Sequence, residues 1–324
     1  MSTVGSWLST RPWVWSLFGS MVMWVMVFLL SSHGLMGSLL INAGTAAFLA
    51  IVGLGQMLTI TSGQGGIDLS IPYVMTLAAY VSITIMNGSN AHLWVAVAVS
   101  ILLGIGVGLI NSFSILVLRI PPIIATLAIG FVLESIIIVF AGQQTSFLPS
   151  PLLEGLAQNS VLGIPLILVP ACGFAVVVAF MLFRTSFGLS LRAAGQNRRA
   201  SFLAGVRVDG TIVGAYVLCG TLAAIGGLLL AGSDGGAFIA MGNAYLLESV
   251  GAVVIGGTLI IGGKPTVLGT LFGALFLTML VTLAEITKLP IGIQDVIEGA
   301  AIIVVLVLAN RPGTRRRMPV KKQR

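Results

Sequence analysis

Ten apolar stretches of 17–26 residues run through this sequence, separated by short polar breaks. They cover Trp13–Leu30, Leu39–Thr61, Ser70–Met86, Leu93–Leu118, Pro121–Ala141, Ile164–Phe183, Thr211–Ala231, Tyr245–Ile261, Thr266–Ala284 and Ile293–Ala309. A helix that crosses a bilayer needs roughly 20 consecutive apolar residues, and these stretches match that length. Of the 324 residues, 57% are hydrophobic and 8% charged, against about 25% charged in a soluble domain. A soluble enzyme, a disordered chain and a disulfide scaffold are excluded. The apolar runs are continuous rather than alternating, which argues against an outer-membrane barrel. The expected fold is an all-α polytopic membrane protein of ten transmembrane helices, forming one transmembrane domain over residues 1–324.

The basic residues orient these helices. With the N-terminus in the cytoplasm, fifteen of the sixteen lysines and arginines fall on the inner side and only Lys288 falls outside. Segments 184–209 and 310–324 hold most of them. The positive-inside rule therefore predicts an even number of crossings with both termini cytoplasmic. The first stretch carries Trp13, Trp15 and Trp24 and lacks a small-x-small cleavage site, so it reads as a retained span with interfacial anchors rather than a signal peptide. The basic tail, 310–324, reads as a topology determinant lying near anionic headgroups. No aromatic interleaving accompanies the charge, so nucleic acid is not an expected partner.

Two sets of landmarks suggest an internal duplication. Gly65-Gly66 opens a polar break, and Arg119-Ile120-Pro121 follows 55 residues on, counted from 66 to 121. Gly235-Gly236 opens another, and Lys288-Leu289-Pro290 follows 54 residues on, counted from 236 to 290. In the topology above the first pair is cytoplasmic and the second external. That arrangement describes an inverted repeat with halves 42–141 and 211–309, a pattern common in transporters.

The polar breaks hold the candidate chemistry. In the run from Gly63 to Ser70, Asp68 and Ser70 can supply side-chain oxygens to the free amides of a helix N-terminus, with Pro72 in the first turn. The same break can serve as a hinge or path-lining turn, which makes Gly66, Asp68 and Ser70 path or gate candidates. Segment 184–209 carries small and apolar residues at three- and four-residue spacing. It predicts a short amphipathic helix broken at Gly195 and ended near Gly205. A helix lying on the membrane surface and a helix docking into a partner protein explain this pattern equally well. Gly104, Gly108, Gly269 and Gly273 have small-xxx-small spacing and read as close helix packing. The stretch before Lys264 fails as a phosphate loop, because Thr258 stands at its first glycine and Pro265 follows the lysine. Glu134 lies inside the fifth stretch, where an ionised acid costs about 2.5–3.5 kcal/mol, so it joins the path or gate candidates. Cys172 and Cys219 sit in apolar runs, and no cysteine or histidine cluster has metal-ligand spacing. Neither a metal, a cofactor nor a catalytic residue is expected.

The runs Gly65-Gly66-Ile67-Asp68-Leu69-Ser70, Gly195-x-Asn197-x-x-Ala200-x-x-x-x-Gly205 and Ala252-Val253-Val254-Ile255-Gly256-Gly257-Thr258, with Gly269-Thr270-x-x-Gly273-Ala274, occur in this order. They resemble the ribose-type permeases of bacterial ATP-binding-cassette importers, from about residue 42 to 309. The resemblance implies a ten-span permease subunit in the bacterial inner membrane that carries a monosaccharide or similar small polar solute. It implies a cytoplasmic ATP-binding-cassette ATPase, a second permease copy or paralogue, and a periplasmic solute-binding protein as partners. It also implies that segment 184–209 is the coupling segment, with Arg192, Gly195, Asn197, Arg198, Arg199, Ala200 and Gly205 meeting the ATPase. The chain departs from the family at Ile71-Pro72, where a small residue and a glycine are usual, and at Pro265, where a glycine usually follows the basic residue. Both departures stiffen turns. The alternatives are an ion-coupled secondary carrier and an importer permease for another solute, such as a branched-chain amino acid or a nucleoside. The few intramembrane acids suit an ATP-driven device better than an ion relay.

Overall fold

Apolar sequence at these lengths folds as helix because buried or lipid-facing backbone must satisfy its own hydrogen bonds. In the computed structural model, residues 13–31, 34–142 and 148–309 are described, without the side chains of 291, 295, 298, 302, 305, 306, 308 and 309. Arg11, His33 and the basic tail lie outside them. The helices are α1 (Trp13–Leu30), α2 (Gly34–Thr61), α3 (Ile71–Met86), α4 (Leu93–Leu116), α5 (Pro122–Ala141), α6 (Pro151–Gln158), α7 (Leu168–Arg184), α8 (Ser186–Gln196), α9 (Arg198–Leu203), α10 (Val208–Ser233), α11 (Tyr245–Ile255), α12 (Val267–Ile286) and α13 (Ile291–Ala309). A 3-10 turn, Asn90–His92, leads into α4.

The protein is an all-α polytopic membrane protein. Among the described residues six helices (α1, α2, α4 with its leading turn, α5, α10 and α12) are long and apolar enough to cross a bilayer, and α7 with α8 would make a seventh. α8 leaves α7 at 72°. α3 and α11 are shorter apolar helices of 16 and 11 residues, spanning about 24 Å and 17 Å at 1.5 Å per residue. Neither covers the roughly 30 Å hydrocarbon thickness alone.

α2 and α10 form the centre. They pack on each other, with α3 and α4 also against α10 and α11 and α12 also against α2. Close approach comes from small residues: a Cβ at Gly104 or Gly108 of α4 would run into the α10 backbone at Gly220 and Tyr216. Gly269 and Gly273 of α12 meet Gly256 and Ala252 in the same way. Without a hydrophobic force between helices in lipid, such backbone contact supplies the packing. The outer faces of α1, α4, α5 and α7 expose Phe18, Leu102, Val132 and Phe180, as lipid-facing surfaces do.

Three predicted segments change by four or more residues at an end. The second starts at Gly34 rather than at Leu39. The sixth starts at Leu168, because Ile164–Pro165 pairs with Ser160–Val161 as an antiparallel two-residue hairpin, β1 with β2. The eighth stops at Ile255, where Gly257 turns left-handed at φ 85°. Thr266 then pins the loop, with its N–H donating to the Thr258 hydroxyl at 3.1 Å and its hydroxyl to the Gly256 carbonyl at 2.7 Å.

Candidate functional site

Irregular backbone precedes both short helices, and the first stretch lies inside the protein. Met75 of α3 meets Gly227 of α10, Gly55 of α2 meets Cys219 of α10, and Asp68 is 1% exposed. The break 62–70 therefore runs beside the middle of α10. The 234–244 segment reaches the same level from the other direction: the Gly242 N–H donates to Thr76 Oγ1 at 3.1 Å, and a Cβ at Gly242 would overlap the Pro72 carbonyl. Non-helical backbone at membrane depth persists only when protein or a cavity surrounds it.

Asp68 organises the first break. Its Oδ1 accepts from the Ser70 N–H at 2.9 Å and from the Ser70 hydroxyl at 2.6 Å. Asn111 of α4 donates through Nδ2 to the Ser70 hydroxyl at 2.8 Å and reaches both Asp68 oxygens at 3.4 Å. Cys219 of α10 lies beside the same carboxylate. Backbone amides of the break are held as well, with Asp68 N–H donating to Gln56 Oε1 at 3.3 Å and Leu69 N–H to Thr126 Oγ1 at 3.0 Å. One buried acid thus joins the break to α4 beside α10, while Gln56 and Thr126 tie it to α2 and α5. The expected capping occurs in altered form. Ser70 is the N-cap of α3 but its hydroxyl makes no cap bond, because it turns to Asp68 instead. Gly66 fits where a Cβ would strike the Thr59 carbonyl and the Ser62 hydroxyl.

Glu134 is separate from this cluster. It lies eight residues beyond Thr126 on α5, about 12 Å along the axis, half-buried, with its charge felt at Tyr73 of α3. Of the path candidates, Gly66, Asp68 and Ser70 come together and Glu134 does not join them. Gln56 and Asn111 were missed by the sequence reading, which weighed acids within spans and passed over amides. Their signal was an uncharged polar residue isolated in an apolar run.

The segment 184–209 is two helices, as its spacing suggested, but the break falls at Asn197 and not at Gly195. Asn197 caps α9, its Oδ1 accepting from the Ala200 N–H at 2.9 Å, so Asn197 and Ala200 form one capping unit. Gly205, at φ 84° with open space around it, ends α9. Gly195 remains helical and has another use. A Cβ there would overlap the Thr61 carbonyl at the end of α2 and the Gly263 nitrogen. The Gly263 N–H itself donates to the Thr61 carbonyl at 3.0 Å, and Gly262, at φ 100°, lies against Gly63. Three remote segments meet backbone to backbone, and α8 is seated on two of them.

The arginines divide. Arg198 donates to Asp209 Oδ1 at 2.8 Å and to Gln64 Oε1 at 3.0 Å, tying α9 to the first break. Arg192 folds back, with Nε donating to the Gly188 carbonyl at 3.4 Å and its guanidinium 5.2 Å from the Phe183 ring centre. Arg199 is exposed. A cavity of about 670 Å³ lies along this surface, lined by residues 194–199 with Gln64, Gly65, Ile260 and Ile261. At the far end of α2 and α10 a second cavity of about 710 Å³ is bordered by Gln158, Asp234 and Tyr245. Burial raises the Asp234 carboxyl above its ordinary range.

The sequence profile of the family described as "Branched-chain amino acid transport system / permease component" matches residues 38–306. The ribose import permease protein RbsC of Escherichia coli (strain K12) is 29% identical over 273 residues, 81% of this chain and 82% of that protein. The autoinducer 2 import system permease protein LsrC of Shigella flexneri is 28% identical over 274 residues, 82% of this chain and 77% of the relative. LsrD of the same type of system in Photorhabdus temperata is 27% identical over 305 residues, covering 91% and 90%. No solved structure matches significantly. A profile match over most of the chain, on a polytopic fold with two short helices packed inside it, makes this protein a membrane permease of the branched-chain amino acid transport system / permease component family.

Proposed function

We propose that this chain is the permease subunit of an ATP-driven importer in the bacterial inner membrane and carries a monosaccharide or similar small polar solute. The observation that carries this reading is the seat of α8, where Gly195 lets the segment rest directly on the α2 end and on the 262–263 turn. Such a joint transmits a push on α8 to the loops that flank both short helices. A surface helix would need no contact of this kind. An ATPase docked on the cavity along residues 194–199 would drive it, while a second permease copy or paralogue and a periplasmic solute-binding protein complete the importer. The solute class follows the import permeases for ribose and autoinducer 2.

The chain crosses ten times with both ends cytoplasmic, as inverted halves 42–141 and 211–309. Exchange of partners supports this: α10 packs on α3 and α4, while α2 packs on α11 and α12. The two landmark residues also share a left-handed backbone, Arg119 at φ 58° and Lys288 at φ 54°. In a background with Cys172→Ser, a membrane-impermeant thiol reagent applied to whole cells should label Lys288→Cys and spare Arg119→Cys. Labelling of both from outside would end the inverted arrangement.

Partner capture tests the transport reading. The tagged chain, purified from its host in mild detergent, should bring down a stoichiometric ATPase, and a second permease in the eluate would identify a mixed pair. A chain that emerges alone and drives gradient-dependent solute uptake in liposomes would be a secondary carrier instead.

A further inference from the structure

We propose that the apolar groove between α1, α7 and α12 holds an anionic phospholipid, with an acyl chain along the groove and the headgroup among Arg184, Arg192 and Lys264. The groove encloses about 530 Å³. Its walls include Trp13 of α1, Cys172, Ala179 and Phe183 of α7, and Leu268 and Leu271 of α12. Thr266 stands at the edge, but its hydroxyl is given to the Gly256 carbonyl at 2.7 Å. The walls therefore suit a hydrocarbon chain and not a polar solute. Phe183 and Leu268 are exposed, so the groove opens onto the lipid-facing surface. Along α7 it runs from Cys172 to Phe183, about 16 Å of helix. That is close to half of the roughly 30 Å hydrocarbon thickness, the depth of one leaflet.

Positive charge gathers at the Phe183 end. The 72° bend between α7 and α8 brings Arg192 back over α7, its guanidinium 5.2 Å from the Phe183 ring centre. Only Nε of this side chain is engaged, donating to the Gly188 carbonyl, so its terminal N–H groups are free among the described residues. Arg192 thus turns to a wall of the groove and does not line the cavity assigned to the ATPase. Arg184 follows Phe183, and Lys264 precedes Pro265, which also lines the groove. Both are exposed, and neither side chain makes a hydrogen bond or ion pair among the described residues. The two strands of chain are close: a Cβ at Gly263 would lie 3.0 Å from the Arg192 carbonyl. Three unpaired cations at the mouth of a one-leaflet apolar groove match a phosphate diester carrying an acyl chain. Basic pockets between helices at the membrane surface take acidic headgroups in this way. A second copy of the chain fits the groove poorly. Two copies in one membrane share an orientation, so these cations would meet their equivalents at the same depth, and like charges across an interface are unfavourable. A bound headgroup would join the end of α7, α8 and the loop at Lys264, steadying the seat of α8 whatever the solute.

The test releases the full chain from nanodiscs of equal parts phosphatidylcholine and phosphatidylglycerol and identifies the retained lipid by native mass spectrometry. Phosphatidylglycerol should be retained in severalfold excess. Arg184→Gln, Arg192→Gln and Lys264→Gln should each lower that preference about fivefold, the weight of one basic residue beside an anionic surface. Arg207→Gln removes an exposed charge at the start of α10, outside this mouth, and should leave the preference unchanged. Ala179→Phe fills the groove and should reduce retention of both lipids, with the unfolding temperature in lipid-free detergent unchanged to show that the fold survives. Equal retention of the two lipids, or one loss shared by all four charge variants, would overturn the site. Oxidative cross-linking of Cys172 to Cys172 in native membranes would overturn it as well, because a second copy would then cover the groove.

Discussion

Replacing Gly195 with valine is expected to abolish coupled uptake while leaving the chain at its normal level in the membrane. The side chain would enter space held by the Thr61 carbonyl and the Gly263 nitrogen. These are backbone atoms of two other segments, so no rotamer change relieves the overlap. Overpacking of this kind costs typically 1–3 kcal/mol, and here it would lift α8 from its seat rather than unfold the apolar helices around it. Gly205 provides the contrast. Nothing crowds it, and only its φ of 84° demands glycine. Gly205→Asn should therefore retain most uptake, and Gly205→Val should lose part of it through a strain of about 1–2 kcal/mol. Uptake by the reconstituted importer, beside ATP hydrolysis and the amount of inserted chain, reads all three variants. Normal uptake by Gly195→Val would falsify the coupling role of α8.

Asp68→Ala is expected to lower both stability and uptake sharply. It leaves the Ser70 N–H and hydroxyl and the Asn111 amide without the oxygen that gathers them. Each buried polar group left without its partner costs about 1–3 kcal/mol, so a loss of several kcal/mol is expected and should appear as a lower unfolding temperature in detergent. Asp68→Asn alone turns an amide N–H₂ toward existing donors. The exchange Asp68→Asn with Asn111→Asp restores a carboxylate opposite an amide and should recover much of the unfolding temperature. Uptake then separates two roles. Recovery of both properties makes Asp68 a fastener of the break, while restored stability without uptake makes it part of the solute path. Unchanged stability and uptake in Asp68→Ala would remove it from either role.

The locations of the break and of segment 184–209 were legible from residue type alone, because glycine, proline and charge interrupt long apolar runs for local reasons. The meaning of individual residues was less so. Gly195 and Gly205 look alike in sequence, yet one is required by a contact and the other by a torsion. Asn197 resembled a docking residue and is also the cap of α9. Asn111, 43 residues from Asp68, carried only the signal of an amide in an apolar helix. The ends of the predicted spans moved where Gly257 and the Thr258–Thr266 bond stop a helix that apolar composition would have extended.

Taken alone, the order of residues determined the membrane class and the positions of the polar breaks. These depend on hydropathy and charge, which sum along the chain without reference to remote segments. Only the tertiary structure decided that α3 and α11 are short helices and that the segment leading into α11 touches the first turn of α3, Gly242 against Pro72. It alone decided that Asp68 meets a donor from α4 and lies beside α10, and that Gly63, Gly195, Gly262 and Gly263 share one joint. Each of these is an approach of backbones or buried polar groups from distant parts of the chain. Its energy depends on a mutual fit of a few tenths of an ångström, which local composition does not encode.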